Sequence, residues 1–308
     1  MSGAPVELVL LWHFHQPDYR SPRDQRSELP WVRLHASKDY LAMALRLERH
    51  PGVHAVCNFT PILLDQLEEA EGHGADRLFE LLVMPVASLT AEQRAEVAAR
   101  ASLAPPWALE RWPAYAALAR RAPASAAPRA ISDADLISLE CHFLLAWLDP
   151  MFHGELEATA ALAARGTPSE AHRDGLLAMH ARITAQVLPA YRALERRGQL
   201  ELTASPYTHP ILPLLIDVRS ALRARPHAPL PAEPFSAPAD AETHVRRALE
   251  RHARAFGAPP LGLWPSEGSV SPEAAEIAAR AGVRWMASDE GVLWRSLPPG
   301  ERSRAMLH

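Results

Sequence analysis

Short apolar runs alternate with longer stretches of helical spacing along the whole chain. Residues 7–15, Glu7 to His15, form a continuous apolar run ending in His13-Phe14-His15, as a strand buried on both faces would. Runs at 53–60, 199–204, 261–264 and 284–288 predict four more strands. Between them apolar residues return every three or four positions. Tyr40, Met43, Ala44 and Leu47 predict a helix beginning near Ser37, and Ile62, Leu63, Leu64 and Leu67 one from Pro61. Leu136, Leu139, Phe143, Leu144 and Trp147 predict a helix opened by Ser132 and stopped by Pro150. Leu176, His180, Ile183, Val187, Tyr191 and Leu194 form a longer stripe closed by Gly198, with Pro189 predicting a kink. On that stripe His180 reads as a packing histidine with its bonds satisfied. Further helices are expected from Asp240 to Gly257 and over 272–281, the latter with Ser271 as N-cap and Pro272 in the first position.

Strands regularly separated by helices predict a parallel α/β sheet, wound as an open sheet or a barrel. The expected organisation is a single domain over 1–308. It carries a helical insertion over about 72–175, broken by Pro113, Pro123 and Pro128, and a proline-rich lid or rim over about 210–238. Trp107, Trp112 and Tyr115 in the insertion read as core packing, with a cleft lining as the other reading.

The unusual polar residues gather at the carboxyl ends of the predicted strands: His13 and His15, Asn58 and Thr60, Glu201, Glu267, and Asp289 with Glu290. In a barrel these ends converge on one mouth, which is where parallel α/β proteins place their chemistry. Gly262-Leu263-Trp264-Pro265-Ser266-Glu267 puts a carboxylate and an indole together at such an end, the pairing that sugar cleavage needs. Glu201 is an acidic residue inside a short strand, which is costly unless paired, and His209 closes the loop after it. His13 and His15, two apart, share a strand face. They read as a hydrogen-bonded pair, as a metal-ligand pair, or as part of a site gripping hydroxyls, with Gln16 next in the loop.

Composition narrows the field. A formal net charge of −4 offers no case for nucleic acid or an anionic membrane as partner. No apolar run reaches the ~18 residues of a membrane span, and the leading residues lack a secretory pattern, so a cytoplasmic protein is expected. No glycine-rich loop follows the first strand, which argues against a dinucleotide site, and no Cys-x-x-Cys pair is present. Cys57 and Cys141 read as buried free thiols.

Three segments resemble, in order, the conserved regions of the family 57 glycoside hydrolases, the amylase-like α-glucan enzymes. They are His13-Phe14-His15-Gln16-Pro17, Gly198-Gln199-Leu200-Glu201-Leu202-Thr203, and Gly262 to Glu267. The resemblance implies an incomplete (β/α)7-type barrel and retaining cleavage of an α-glucosidic bond in an α-glucan or maltooligosaccharide, with no cofactor and no metal. It implies Glu267 as nucleophile, an aspartate as acid/base, and His13, His15, Gln16, Glu201, His209 and Trp264 as sugar-holding residues. The family's acid/base lies on a later strand, and only five strands precede His308. The expectation is therefore an N-terminal portion lacking the last strands, with Asp289 as the fallback acid/base. Two other readings stand beside this one. One is a metal-dependent hydrolase using His13 and His15 with Asp18, Glu201 or Asp289. The other is a noncatalytic glucan-binding protein on a degenerate barrel.

Overall fold

A computed structural model describes residues 8–70, 76–121, 131–156, 159–160 and 167–298. Glu7, Pro123, Pro128 and the chain end at His308 lie outside the described residues. Five strands, β1 (Leu11–Phe14), β2 (Ala55–Phe59), β3 (Leu200–Ala204), β4 (Gly262–Leu263) and β5 (Trp285–Met286), form one sheet. Every pairing is parallel and the spatial order is β1-β2-β3-β4-β5, so no strand steps back across the sheet. This is the α/β class that the alternation predicts.

The chain divides into two compact units. The first comprises Met1–Pro17, His54–Leu64 and Arg197–His308; the second comprises Asp18–Val53 and Asp65–Arg196. The sheet belongs wholly to the first. One of its faces is apolar: the Phe14 and Phe59 rings stack at 4.5 Å, and Phe59 meets Phe256 at 5.8 Å. Helices Pro238–Phe256 and Pro272–Arg280 cover the same side near β4, where Val245, Leu249, Ala274 and Ile277 pack with Leu263. Ser271 caps the second helix, accepting from the Ala274 N–H at 3.2 Å, and Pro272 takes the first helical position as expected.

The other face is not covered in the same way. β1 is half-buried at Leu11 and Trp12, exposed at His13 and buried at Phe14, so it is not the doubly buried strand its apolar run suggests. Leu8 and Val9 are 80% and 75% exposed. Residues 210–238 also differ from a wholly irregular rim: short helices occupy Leu212–Ile216, Val218–Ser220 and Ala221–Ala224. Pro213 at the start of the first fits a helix N-terminus, where a missing N–H costs nothing.

The second unit is helical. Its first helical stretch begins at Trp31, not near Ser37. The Ser37 hydroxyl donates back to the Arg33 carbonyl at 2.9 Å, a mid-helix bond that displaces it from a capping role. Helix Glu170–Arg196 runs unbroken past Pro189. His180 is fully buried, with Nδ1 at 2.8 Å from Ser37 Oγ and Nε2 at 2.9 Å from the Leu144 carbonyl, the satisfied packing histidine expected. Tyr115 is buried and donates to the Ala101 carbonyl at 2.7 Å, while Trp107 and Trp112 pack together at 5.5 Å. Cys57 and Cys141 are free and buried, and burial pushes both thiols up to about 12.

Candidate active site

Parallel register lines up the polar residues of the open face. His13 pairs with Asn58, and Asn58 with Thr203; one pleat below, Leu11 pairs with Val56, and Val56 with Glu201. One pleat beyond the first row stand His15, Thr60 and Ser205. The rows are bonded sideways. His13 Nδ1 lies 2.6 Å from Asn58 Oδ1, Asn58 Nδ2 donates to Thr203 Oγ1 at 3.1 Å, and the Ser205 hydroxyl donates to Asn58 Oδ1 at 2.9 Å. His15 Nδ1 lies 3.3 Å from Thr60 Oγ1. Asn58, Thr60, Thr203 and Ser205 are all fully buried.

The loop after β3 brings in a third imidazole. It turns at Pro206, where the His209 N–H closes on the Pro206 carbonyl at 2.8 Å, and the Ile62 N–H holds the Tyr207 carbonyl at 3.2 Å. His209 adopts φ 63°, the left-handed region that non-glycine residues avoid. Its ring stacks 4.3 Å from His15 and 4.9 Å from His13, and Trp264 stands 6.3 Å from His13. Burial, then the charges that His15 and His13 would carry, pushes His209 down to about 4. His13 is exposed as a residue, but its ring is enclosed by Asn58, His15 and His209, and this partial desolvation lowers it, against the Asn58 bond and the Glu267 charge. His15 is lowered by burial and by His13, against Glu267. The cluster is therefore neutral at neutral pH.

Glu267 meets this cluster from the loop after β4. Bonds from the Gly268 N–H to the Pro265 carbonyl (2.9 Å) and from the Ser269 N–H to the Ser266 carbonyl (3.1 Å) tighten the turn. The Ser288 hydroxyl staples it through the Gly268 carbonyl at 2.8 Å. Glu267 has φ 57°, and its Oε1 lies 3.9 Å from His209 Nδ1. That separation is too long for a hydrogen bond, and the imidazole is uncharged, so the contact is proximity and not an ion pair. The carboxylate is exposed and lines a cleft of about 450 Å³ with Ile211, Leu214, Val270 and Asp289.

Of the residues singled out in the sequence, the structure brings together His13, His15, His209, Trp264 and Glu267. Gln16 follows His15, half-buried. Glu201 is not at a strand tip: it is the second residue of β3, exposed, and it accepts from Trp285 Nε1 at 2.8 Å. Asp289 caps helix Glu290–Ser296, accepting from the Gly291 N–H at 2.7 Å. Asp18 is held by Arg20 through bonds of 2.8 and 2.9 Å. Each carboxylate considered as a third metal ligand is thus engaged, and among the described residues no three His, Cys, Asp or Glu side chains converge to hold a metal ion. Nor is any helix among the described residues long and apolar enough to cross a membrane. The sequence places Asn58 and Thr60 at the same mouth without giving either a role, and it does not point to Thr203, Ser205 or Trp285.

A parallel sheet with helices between its strands defines an α/β protein, and the carboxylate and the stacked imidazoles stand at its carboxyl edge, where such folds commonly place their chemistry. The family is then shown directly: the family model described as Glycosyl hydrolase family 57 matches residues 9–307, and the chain belongs to that family. No curated protein sequence matches it. Among solved structures, it is similar to a GH57-type branching enzyme from Pyrococcus horikoshii (16% identity, TM-score 0.46, covering 96% of this chain and 42% of that one). It is also similar to the α-amylase AmyC from Thermotoga maritima (12%, TM-score 0.44, 90% and 38%). A GH57 branching enzyme from Thermococcus kodakaraensis, in complex with glucose and additives, matches at 16% with TM-score 0.45, 90% and 38%. The chain thus spans about four tenths of the length of the structures it matches.

Proposed function

We propose that this chain carries the nucleophile of a retaining α-glucan glycosidase or transglycosidase on an incomplete (β/α)7 barrel. The observation that carries the reading is the placement of Glu267 against the His13, His15 and His209 stack at the strand ends. The unreversed strand order and a sheet with helices on its apolar face support the barrel. In the proposed step Glu267 attacks the anomeric carbon and the glycosidic oxygen leaves with a proton from the acid/base. Water or a sugar hydroxyl then cleaves the glycosyl-enzyme. Hydrolysis, transfer and branching share this course and differ in the acceptor. His13, His15, Gln16, His209 and Trp264 hold the sugar, with imidazoles bonding hydroxyls and the indole covering a ring face. Glu201, one pleat below the His13 row and bonded to Trp285, is proposed as a more distant sugar contact on the same sheet face. Asp289 is the fallback acid/base. For a retaining pair the two carboxyl groups must come within about 5–5.5 Å.

The test is trapping with a fluorinated glycosyl fluoride. Fluoride leaves without protonation, so the first step proceeds even where no acid/base is present. The expected result is a glycosylated peptide carrying the label on Glu267. A label on another residue overturns the nucleophile assignment. Reversible maltooligosaccharide binding that is unchanged in Glu267→Gln, with no trapping, would point to the binding-protein reading. Activity lost to a chelator and restored by zinc would point to the metal reading.

A further inference from the structure

We propose that Asn58 is a positioning residue that holds the proton of His13 on Nδ1, leaving Nε2 as a bare acceptor for a ligand hydroxyl. The geometry is specific. An amide oxygen carries no hydrogen, and Asn58 Oδ1 lies 2.6 Å from His13 Nδ1, so the ring must donate. The same oxygen takes the Ser205 hydroxyl at 2.9 Å, and the amide's other end gives a hydrogen to Thr203 Oγ1 at 3.1 Å. The β3 segment thus holds both ends of the fully buried amide, Thr203 taking its N–H and Ser205 giving a hydrogen to the oxygen that faces the imidazole. The neutral ring has one N–H, and with it spent on Asn58, Nε2 offers only a lone pair.

The inference deepens the proposed sugar site by naming what it selects. Nε2 of His13 and the carboxylate of Glu267 are both acceptors, so a ligand between them must bring O–H hydrogens. A neutral polyhydroxylated ring satisfies both, whereas a ring bearing a carboxylate or phosphate there meets repulsion from Glu267 and finds no donor on His13. The register explains why Asn58 can act. It stands level with His13 on the neighbouring strand, where paired side chains lie within reach.

The experiment is ¹⁵N NMR of the chain with labelled histidine, without ligand, near pH 8. The expected spectrum has a protonated, pyrrole-type Nδ1 and an unprotonated, pyridine-type Nε2 for His13, assigned by its loss in His13→Gln. In Asn58→Ala the proton moves to Nε2, the position free imidazole favours in water. In Asn58→Asp an oxygen still faces Nδ1 and the proton stays there. A wild-type proton on Nε2, or a tautomer indifferent to Asn58→Ala, overturns the proposal. If Asn58→Ala does not fold, the wild-type and Asn58→Asp spectra decide it. A purely structural Asn58 would not move the proton. With maltotetraose as probe, Asn58→Ala should bind about tenfold more weakly, the worth of roughly one hydrogen bond. Should wild type bind no maltotetraose, the sugar reading fails while the proton's place stands on its own spectrum.

Discussion

His209 and Glu267 face each other with Nδ1 and Oε1 3.9 Å apart, and both have left-handed backbones, at φ 63° and φ 57°. Among the described residues only Gln25 also combines a side chain with positive φ. Two of the three strained positions therefore meet at one point. Such strain persists only where surrounding bonds over-determine it, and it gathers at functional sites. Here those bonds are the turn from Pro206 to His209 and the stapled turn from Pro265 to Ser269.

The strain at Glu267 can be measured. Glu267→Gln and Glu267→Gly both remove the carboxylate, but only glycine relaxes the backbone. The left-handed penalty of about 1–2 kcal/mol, less the greater freedom of an unfolded glycine, leaves a difference of about 0.5–1 kcal/mol. Urea unfolding should find Glu267→Gly the more stable of the two by that amount. Equal stabilities, or a more stable glutamine variant, would mean that the turn is unstrained.

A second relationship sits at the sheet's edge. The Trp285 indole crosses over Gly262 to reach Glu201 at 2.8 Å, and a Cβ on Gly262 would lie 2.3 Å from the ring. Gly262→Ala should cost about 1–3 kcal/mol by overpacking. In a Trp285→Ala background the ring that the added methyl would strike is gone and the cost should fall. A double-mutant cycle by chemical unfolding checks this; additive costs would refute the crossing.

The sequence pattern makes the five strands and the Glu267 turn legible, because apolar runs mark buried strands and Pro265, Ser271 and Pro272 mark the breaks around them. It also held an unread signal. His13-Phe14-His15, Asn58-Phe59-Thr60 and Thr203-Ala204-Ser205 are polar–apolar–polar triplets at three strand ends. Two-residue periodicity puts each polar pair on one face, so aligning the triplets yields the hydrogen-bonded rows. Register itself was not legible, because a one-residue slip reverses every face and single strands do not report their pairing. The sequence alone therefore suggests a tip for Glu201, whereas the register sets it one pleat below His13. The Trp285 contact was hidden for another reason: it depends on an absent Cβ on a neighbouring strand.

Acid should destabilise the fold partly through the third imidazole. Burial, then His15 and His13, holds His209 at about 4 against an ordinary 6.5. Between those values the unfolded chain takes up a proton that native His209 refuses, so stability falls as pH drops through 6.5 toward 4. His13 and His15 are lowered too and act with the same sign, as do His180 and His252 elsewhere. The comparison must therefore be a difference. Between pH 7 and pH 5, His209→Gln should lose less unfolding free energy than wild type. Parallel losses would show that His209 titrates normally.

The chemistry of Glu267 has a sharper signature than loss of activity. If it is the nucleophile, Glu267→Gly leaves a gap below the anomeric carbon that a small anion can fill. Supplied with an α-glycosyl fluoride and azide, the variant should form the carbon–nitrogen bond as fluoride departs. No acid is needed for that leaving group, so a missing acid/base does not blunt the test. Attack comes from the side that Glu267 occupied, which makes the product a β-glycosyl azide, with configuration inverted relative to the donor. Proton NMR of the anomeric centre reads the outcome. Formation of the α-azide would indicate two displacements with another nucleophile in place. The absence of azide product, in a variant that remains folded and binds the donor, would remove Glu267 from the reaction.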